Sequence, residues 1–101
     1  MLINMDIQYL HNFSTFNDIY KHLKEVSPFF LPPLEERVDI EEYANKLFKY
    51  AQREEAYYDG ELVGLVAYYC TEGEKEAFIS NVSVQQCFSH KGIATLLLNN
   101  T

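Results

Sequence analysis

The sequence predicts an α/β protein of the α+β type: a mostly antiparallel β-sheet flanked by helices, in the order β-α-α-β-β-β-α. Three observations carry that expectation. Two segments in the first half space their apolar residues as one stripe of a helix. Three strand-like segments then follow one another with turn residues between them. A glycine finally opens a short, leucine-rich helical segment. A chain of 101 residues, 48% apolar and 23% charged, fits one small globular domain.

Met5–Tyr9 alternates apolar and polar residues and predicts a short, half-exposed strand. Ser14 or Thr15 can cap the helix that follows. Phe16, Ile19, Tyr20 and Leu23 make its apolar stripe, and Pro28 ends it. Ser27–Val38 is a loop with Pro28, Pro32 and Pro33. It is unusually apolar, with Phe29, Phe30, Leu31 and Leu34. Those residues either cover the domain's own core or wall a binding cleft, since loops on a scaffold often carry function.

Asp39 begins the best-signalled helix, with Glu42 completing a capping box and Val38 and Tyr43 a hydrophobic staple. Ile40, Tyr43, Ala44, Leu47, Phe48 and Ala51 form its stripe, which predicts a helix to about Gln52. Glu55–Tyr58 is a short strand, and Asp59-Gly60 a hairpin turn. Leu62–Cys70 is almost wholly apolar and predicts a central strand covered on both faces. Thr71–Glu76 is a charged turn. In the next strand, Ala77–Val84, Phe78, Ser80, Val82 and Val84 share one face, and Ile79, Asn81 and Ser83 the other. After the loop Gln85–Lys91, a helix starts near Gly92 with Ile93, Leu96 and Leu97 as apolar positions.

The net charge of -7 argues against nonspecific binding to nucleic acid or to an anionic membrane. No apolar run approaches membrane-spanning length, and Met1–Leu10 lacks the pattern of a signal peptide. Cys70 and Cys87 fit neither a disulfide scaffold nor a common zinc pattern, so no metal is expected. The expected location is the cytoplasm.

The chemistry concentrates in Asn81–Leu98, N-V-S-V-Q-Q-C-F-S-H-K-G-I-A-T-L-L-L. A strand runs through a polar loop into a helix whose first turn offers unpaired N–H groups to an anion. Gly92 and Ala94 permit close approach to the backbone, Lys91 adds a cation, and His90 is either a further donor or an ordinary surface histidine. Small residues at such a junction are common, and G-x-A alone says little. The stretch is neither a Walker loop nor a dinucleotide fingerprint.

Val82–Leu98, with the strands before it, resembles the GCN5-related N-acetyltransferases (the GNAT superfamily). Their central motif is a strand ending in V-x-P or similar, an aromatic, then [RQ]-x-x-G-x-[GA], then a leucine-rich helix. Here Val84 is similar to the strand-end valine and Phe88 to the aromatic. Ser89-His90-Lys91-Gly92-Ile93-Ala94 matches the signature and Leu97-Leu98 the helix leucines, while Tyr58–Val66 is similar to the family's second-to-third-strand hairpin.

The resemblance implies that backbone groups of Val82, Ser83 and Val84 bind the pantetheine arm of acetyl-CoA. It implies that N–H groups of Ser89, His90, Lys91, Gly92, Ile93, Ala94 and Thr95 hold its pyrophosphate. The acetyl group would pass directly to the amine of a small-molecule acceptor. Ser89 stands where the family has Arg or Gln, which weakens the pyrophosphate contact. The family's next strand and helix and its last two strands have no counterpart in these residues. Residues 1–101 are therefore expected to form a single partial domain of a truncated acetyl-CoA N-acyltransferase fold, without a complete active site of their own. The open edge of Ala77–Val84 would then favour a homodimer through the C-terminal half. The alternative is a non-catalytic interaction module that uses that same edge.

No catalytic base is assigned. Ser80, Asn81 and Ser83 lie on the strand before the signature, and Glu76 at its entrance reads as a solvated carboxylate. Glu35-Glu36 and Glu54-Glu55 also read as solvated charges, His11 and His22 as exposed, and Cys87 as semi-buried. Tyr57, Tyr58, Tyr68 and Tyr69 read as packing residues.

Overall fold

The computed structural model describes residues 6–70, 77–89 and 92–100. Its elements follow the expected order: β1 (Gln8–His11), α1 (Phe16–Val26), α2 (Ile40–Tyr50), β2 (Gln52–Tyr58), β3 (Glu61–Cys70), β4 (Ala77–Val84) and α3 (Ile93–Asn99). Short 3₁₀ turns cover Ser27–Phe29, Leu34–Glu36 and Gln86–Phe88. The strands form one antiparallel sheet in the order β1-β2-β3-β4.

Thr15, not Ser14, caps α1. Its hydroxyl accepts from the Asp18 N–H and the Asp18 carboxylate accepts from the Thr15 N–H, which closes a capping box. At α2 the Asp39 carboxylate accepts from the Glu42 N–H at 3.0 Å, so the expected cap forms; the return bond from Glu42 does not. α2 stops at Tyr50, two residues before the expected end, because Gln52 already belongs to β2. Ile19, Leu23 and Leu47 are fully buried, each worth about 1.5–3 kcal/mol of apolar burial. The loop after α1 divides. Leu34 is buried and Phe30 packs on the core, whereas Phe29 and Leu31 are exposed.

β1 runs two residues beyond the expected end at Tyr9, set by pairing of Gln8–His11 with Glu54–Tyr57, and Met5 lies outside the described residues. The Asp59-Gly60 turn is a hairpin with positive φ at both residues (51° and 79°). β3 is central, as expected. Leu65 and Ala67 enter a cluster with α1 and α2, while Val63, Val66 and Tyr68 enter a second cluster with α3. α3 packs directly on Gly64: a Cβ there would stand 3.0 Å from Ile93 Cγ2 and 3.3 Å from Leu97 Cδ1.

Three expectations about polar residues are overturned. Glu54 and Glu55 are buried, not solvated. Glu55 accepts from the N–H groups of Phe13 and Ser14, from the Ser14 hydroxyl, and from Arg53 Nε at 3.0 Å. Arg53 also reaches the carbonyls of Leu47, Phe48 and Ser14. Glu54 accepts from the Tyr68 hydroxyl at 2.7 Å and lies 2.6 Å from His11 Nδ1. These partners satisfy carboxylates that burial would otherwise penalise. His22 is buried rather than exposed, and Cys87 is exposed rather than semi-buried. His11, Glu35 and Glu36 are exposed as expected.

The faces of β4 do not simply alternate. Asn81 stands opposite Ala67 and Ile79 opposite Tyr68, which makes Ser80 an extra residue, a bulge. The Tyr43 hydroxyl of α2 meets Ser80 through its carbonyl at 3.1 Å and its Oγ at 2.9 Å. Ser80 therefore turns toward the α1–α2 side, away from the face it shares with Val82 and Val84 under strict alternation.

Candidate active-site cleft

β4 is the last strand of the sheet, so its outer edge has no strand partner among the described residues. At its end, Val82, Ser83 and Val84 form one wall of a cleft of about 180 Å³. Val26, Phe29 and Phe30 form the other. The proline-rich loop supplies the aromatic wall because Leu34 and Phe30 tie it to the core beside α1. Two segments singled out separately in the sequence, the apolar loop and the strand before the glycine, thus meet across one gap.

A buried polar chain lies behind the strand wall. Ser83 Oγ donates to Asn81 Oδ1 at 2.7 Å and stands 2.9 Å from His22 Nε2. The serine has one proton, so with Asn81 Oδ1 as its acceptor the second bond forms when His22 carries a proton on Nε2 and donates to Ser83. Burial pushes the His22 pKa down to about 4, against a partial rise from the carbonyls of Leu62 and Ser83. The sequence reading missed this residue. Its signal was the spacing, since Ile19, His22, Leu23 and Val26 continue one buried stripe at i, i+3, i+4 and i+7.

His22 should make folding acid-sensitive. The folded protein keeps it neutral down to about pH 4, whereas an unfolded chain protonates it near 6.5. The unfolded state takes up the proton first, so stability is full above 6.5 and is lost as the pH falls toward 4. The expected loss is about 3 kcal/mol. Urea unfolding across that window checks this, with the non-titrating His22→Gln as control. Equal pH dependence of the two proteins would contradict it.

The glycine segment is arranged as follows. Phe88 is buried against Tyr58, with ring centroids 5.3 Å apart. Ser89 donates both its N–H and its hydroxyl to the Gln86 carbonyl. His90 and Lys91 lie outside the described residues, as do Glu76 and the turn Thr71–Glu76. Gly92 is exposed with φ 78°, a conformation that side-chain-bearing residues rarely adopt, and a Cβ there would meet nothing within 4 Å. Ile93 and Leu97 are buried and anchor α3, Ala94 is half-buried, and Thr95 and Leu96 are exposed.

Tyr57 and Tyr68 act as structural donors, whereas the buried Tyr69 hydroxyl has no hydrogen-bond partner among the described residues. Burial raises the pKa of Tyr57, Tyr68 and Tyr69, and the hydrogen bonds of Tyr57 to Asp18 and of Tyr68 to Glu54 raise it further. Among the described residues no group of three His, Cys, Asp or Glu is placed to hold a metal. No helix among them is long and apolar enough to cross a membrane.

The profile of the acetyltransferase (GNAT) family matches residues 16–101. The chain belongs to the GNAT acetyltransferase family. Its fold is similar to that of solved members. A GNAT-family protein from Desulfovibrio desulfuricans superposes with a TM-score of 0.69 at 16% identity, over 93% of this chain and 62% of that one. A ribosomal-protein-alanine N-acetyltransferase from Brucella melitensis biovar Abortus 2308 gives 0.64 at 25% identity, over 97% and 69%. An aminoglycoside 6'-N-acetyltransferase complexed with coenzyme A gives 0.70 at 19%, over 95% and 52%. The chain thus spans 62% of the first of these GNAT structures and 52% of the third. Comparison with curated protein sequences found no match.

Proposed function

We propose that the protein is an N-acetyltransferase that moves the acetyl group of acetyl-CoA to a primary amine of a small molecule. The observation that carries this reading is the cleft along Val82–Val84, in a chain whose family match runs through it to the end of α3. One of the similar structures is a coenzyme A complex, which supports the choice of cosubstrate.

The apolar cleft suits a pantetheine arm lying along the β4 edge, bonded to backbone groups of Val82, Ser83 and Val84. The pyrophosphate would rest on the backbone of residues 90–95, with Lys91 and His90 adding donors and Gly92 leaving open space. Ser89, whose donors are already used, contributes little. The neutral amine would attack the thioester carbonyl, a C–N bond forming as the C–S bond breaks, and the proton lost by the amine nitrogen would pass to the released thiolate. Phe29 and Phe30 would exclude water from the reacting end, which strengthens polar interactions there. The net charge of -7 favours a cationic small molecule over nucleic acid or an anionic membrane. We place the protein in the cytoplasm.

A second reading rests on the β4 edge, which has no strand partner among the described residues, and on its exposed Phe78, Ile79 and Val82: association with another copy through the C-terminal half. Calorimetry with coenzyme A, run beside sedimentation, separates the two. Saturable heat is expected from the acetyltransferase. Self-association without any heat would favour a non-catalytic interaction module.

A further inference from the structure

His22 touches two spaces at once. Through Nε2 it holds Ser83, which lines the cleft. His22 also lines a separate cavity of about 70 Å³, together with Asp18, Lys21, Gly60, Glu61, Leu62 and Gln85. The side chain is 1% exposed, and Nδ1 has no hydrogen-bond partner among the described residues. With the proton on Nε2, Nδ1 is a bare acceptor. A buried acceptor without a donor is costly, and a polar cavity of this size has room for a water molecule that would satisfy it.

We propose that His22 is a positioning residue for the β4 wall of the cleft, with Nδ1 accepting a hydrogen bond from water bound in this cavity. The water holds the ring in the Nε2–H form, and that form fixes the Ser83 hydroxyl. Because Ser83 is also bonded to Asn81, one imidazole sets the course of the strand at the point where it forms the cleft. α1 thereby acts on the site through a single polar contact as well as through apolar packing. The positioning role rests on the coenzyme reading above; the proton pattern and the water do not.

Nitrogen NMR of the wild-type chain tests the pattern directly. The expected result is a protonated Nε2, an unprotonated Nδ1 near neutral pH, and a cross-peak from water to the ring. A protonated Nδ1, or no such cross-peak, overturns the proposal. Coenzyme A titrations test the role. His22→Gln keeps an amide donor for Ser83 and should bind within about threefold of wild type, whereas His22→Leu should bind roughly tenfold more weakly while folded by circular dichroism. Folded His22→Leu with wild-type affinity overturns the role. If His22→Leu does not fold, Ser83→Ala decides: weaker binding supports the role and unchanged binding overturns it. A wild-type chain that binds no coenzyme A would instead remove the functional reading, and the NMR result would still decide the proton pattern and the water.

Discussion

Replacing Glu55 with alanine is expected to remove a large share of the protein's folding stability. The Glu55 side chain is fully buried and accepts from Arg53, Ser14 and the Phe13 N–H, three points on two segments some forty residues apart. Removing it strands the Arg53 guanidinium in the core, an effect of about 3–5 kcal/mol. A domain of this size has about 5–15 kcal/mol in all. Urea unfolding measures the loss. The exposed pair Lys21–Glu61, 3.8 Å apart, is the control, and Glu61→Ala should change stability by less than about 1 kcal/mol. Replacing Arg53 and Glu55 together by apolar residues should not restore stability, because Arg53 also satisfies the carbonyls of Leu47, Phe48 and Ser14. A Glu55→Ala protein as stable as wild type would refute the buried network.

The second large effect is expected at Gly64. A Cβ at this position would lie 3.0 Å from Ile93 Cγ2, 3.3 Å from Ala56 Cβ and 3.3 Å from Leu97 Cδ1. Valine adds two methyl groups beyond that, so α3 must lift from β3. Overpacking of this kind costs about 1–3 kcal/mol. Since α3 carries Ile93, Ala94 and Thr95, its displacement should also weaken coenzyme A binding by more than Gly64→Ala does. Thermal melts and calorimetry on the two variants give the order. Wild-type stability and affinity in Gly64→Val would show that α3 does not seat against this glycine.

Most elements were readable because local chemistry and tertiary packing agree in them. The stripes of α1 and α2 repeat at the helical period, Asp59-Gly60 is a local turn signal, and β3 is an unbroken apolar run of strand length. Charged residues misled where partners are distant. Gln52-Arg53-Glu54-Glu55 looks like solvent-facing chain until Ser14 and His11 arrive beside it through the sheet. His22 carried a positional signal that its polarity concealed. The bulge at Ser80 left no mark in the pattern, because a register shift depends on the neighbouring strand. For the cleft, the sequence named both walls, Phe29 with Phe30 and Val82 with Val84, but not that they face each other.

The arrangement of strands has a consequence for assembly of the molecule. Neighbours in the sheet are also neighbours along the chain, so β2, β3 and β4 can zip together through short connections. Only the pairing of β1 with β2 must close a long loop, the one that holds both helices. Its entropic penalty grows slowly with length, and the helices inside shorten the effective span. The meander is thus expected to form first and β1 to join it afterwards, when Glu55 bonds Ser14; φ-values lower in β1 than in β2–β4 would check this order.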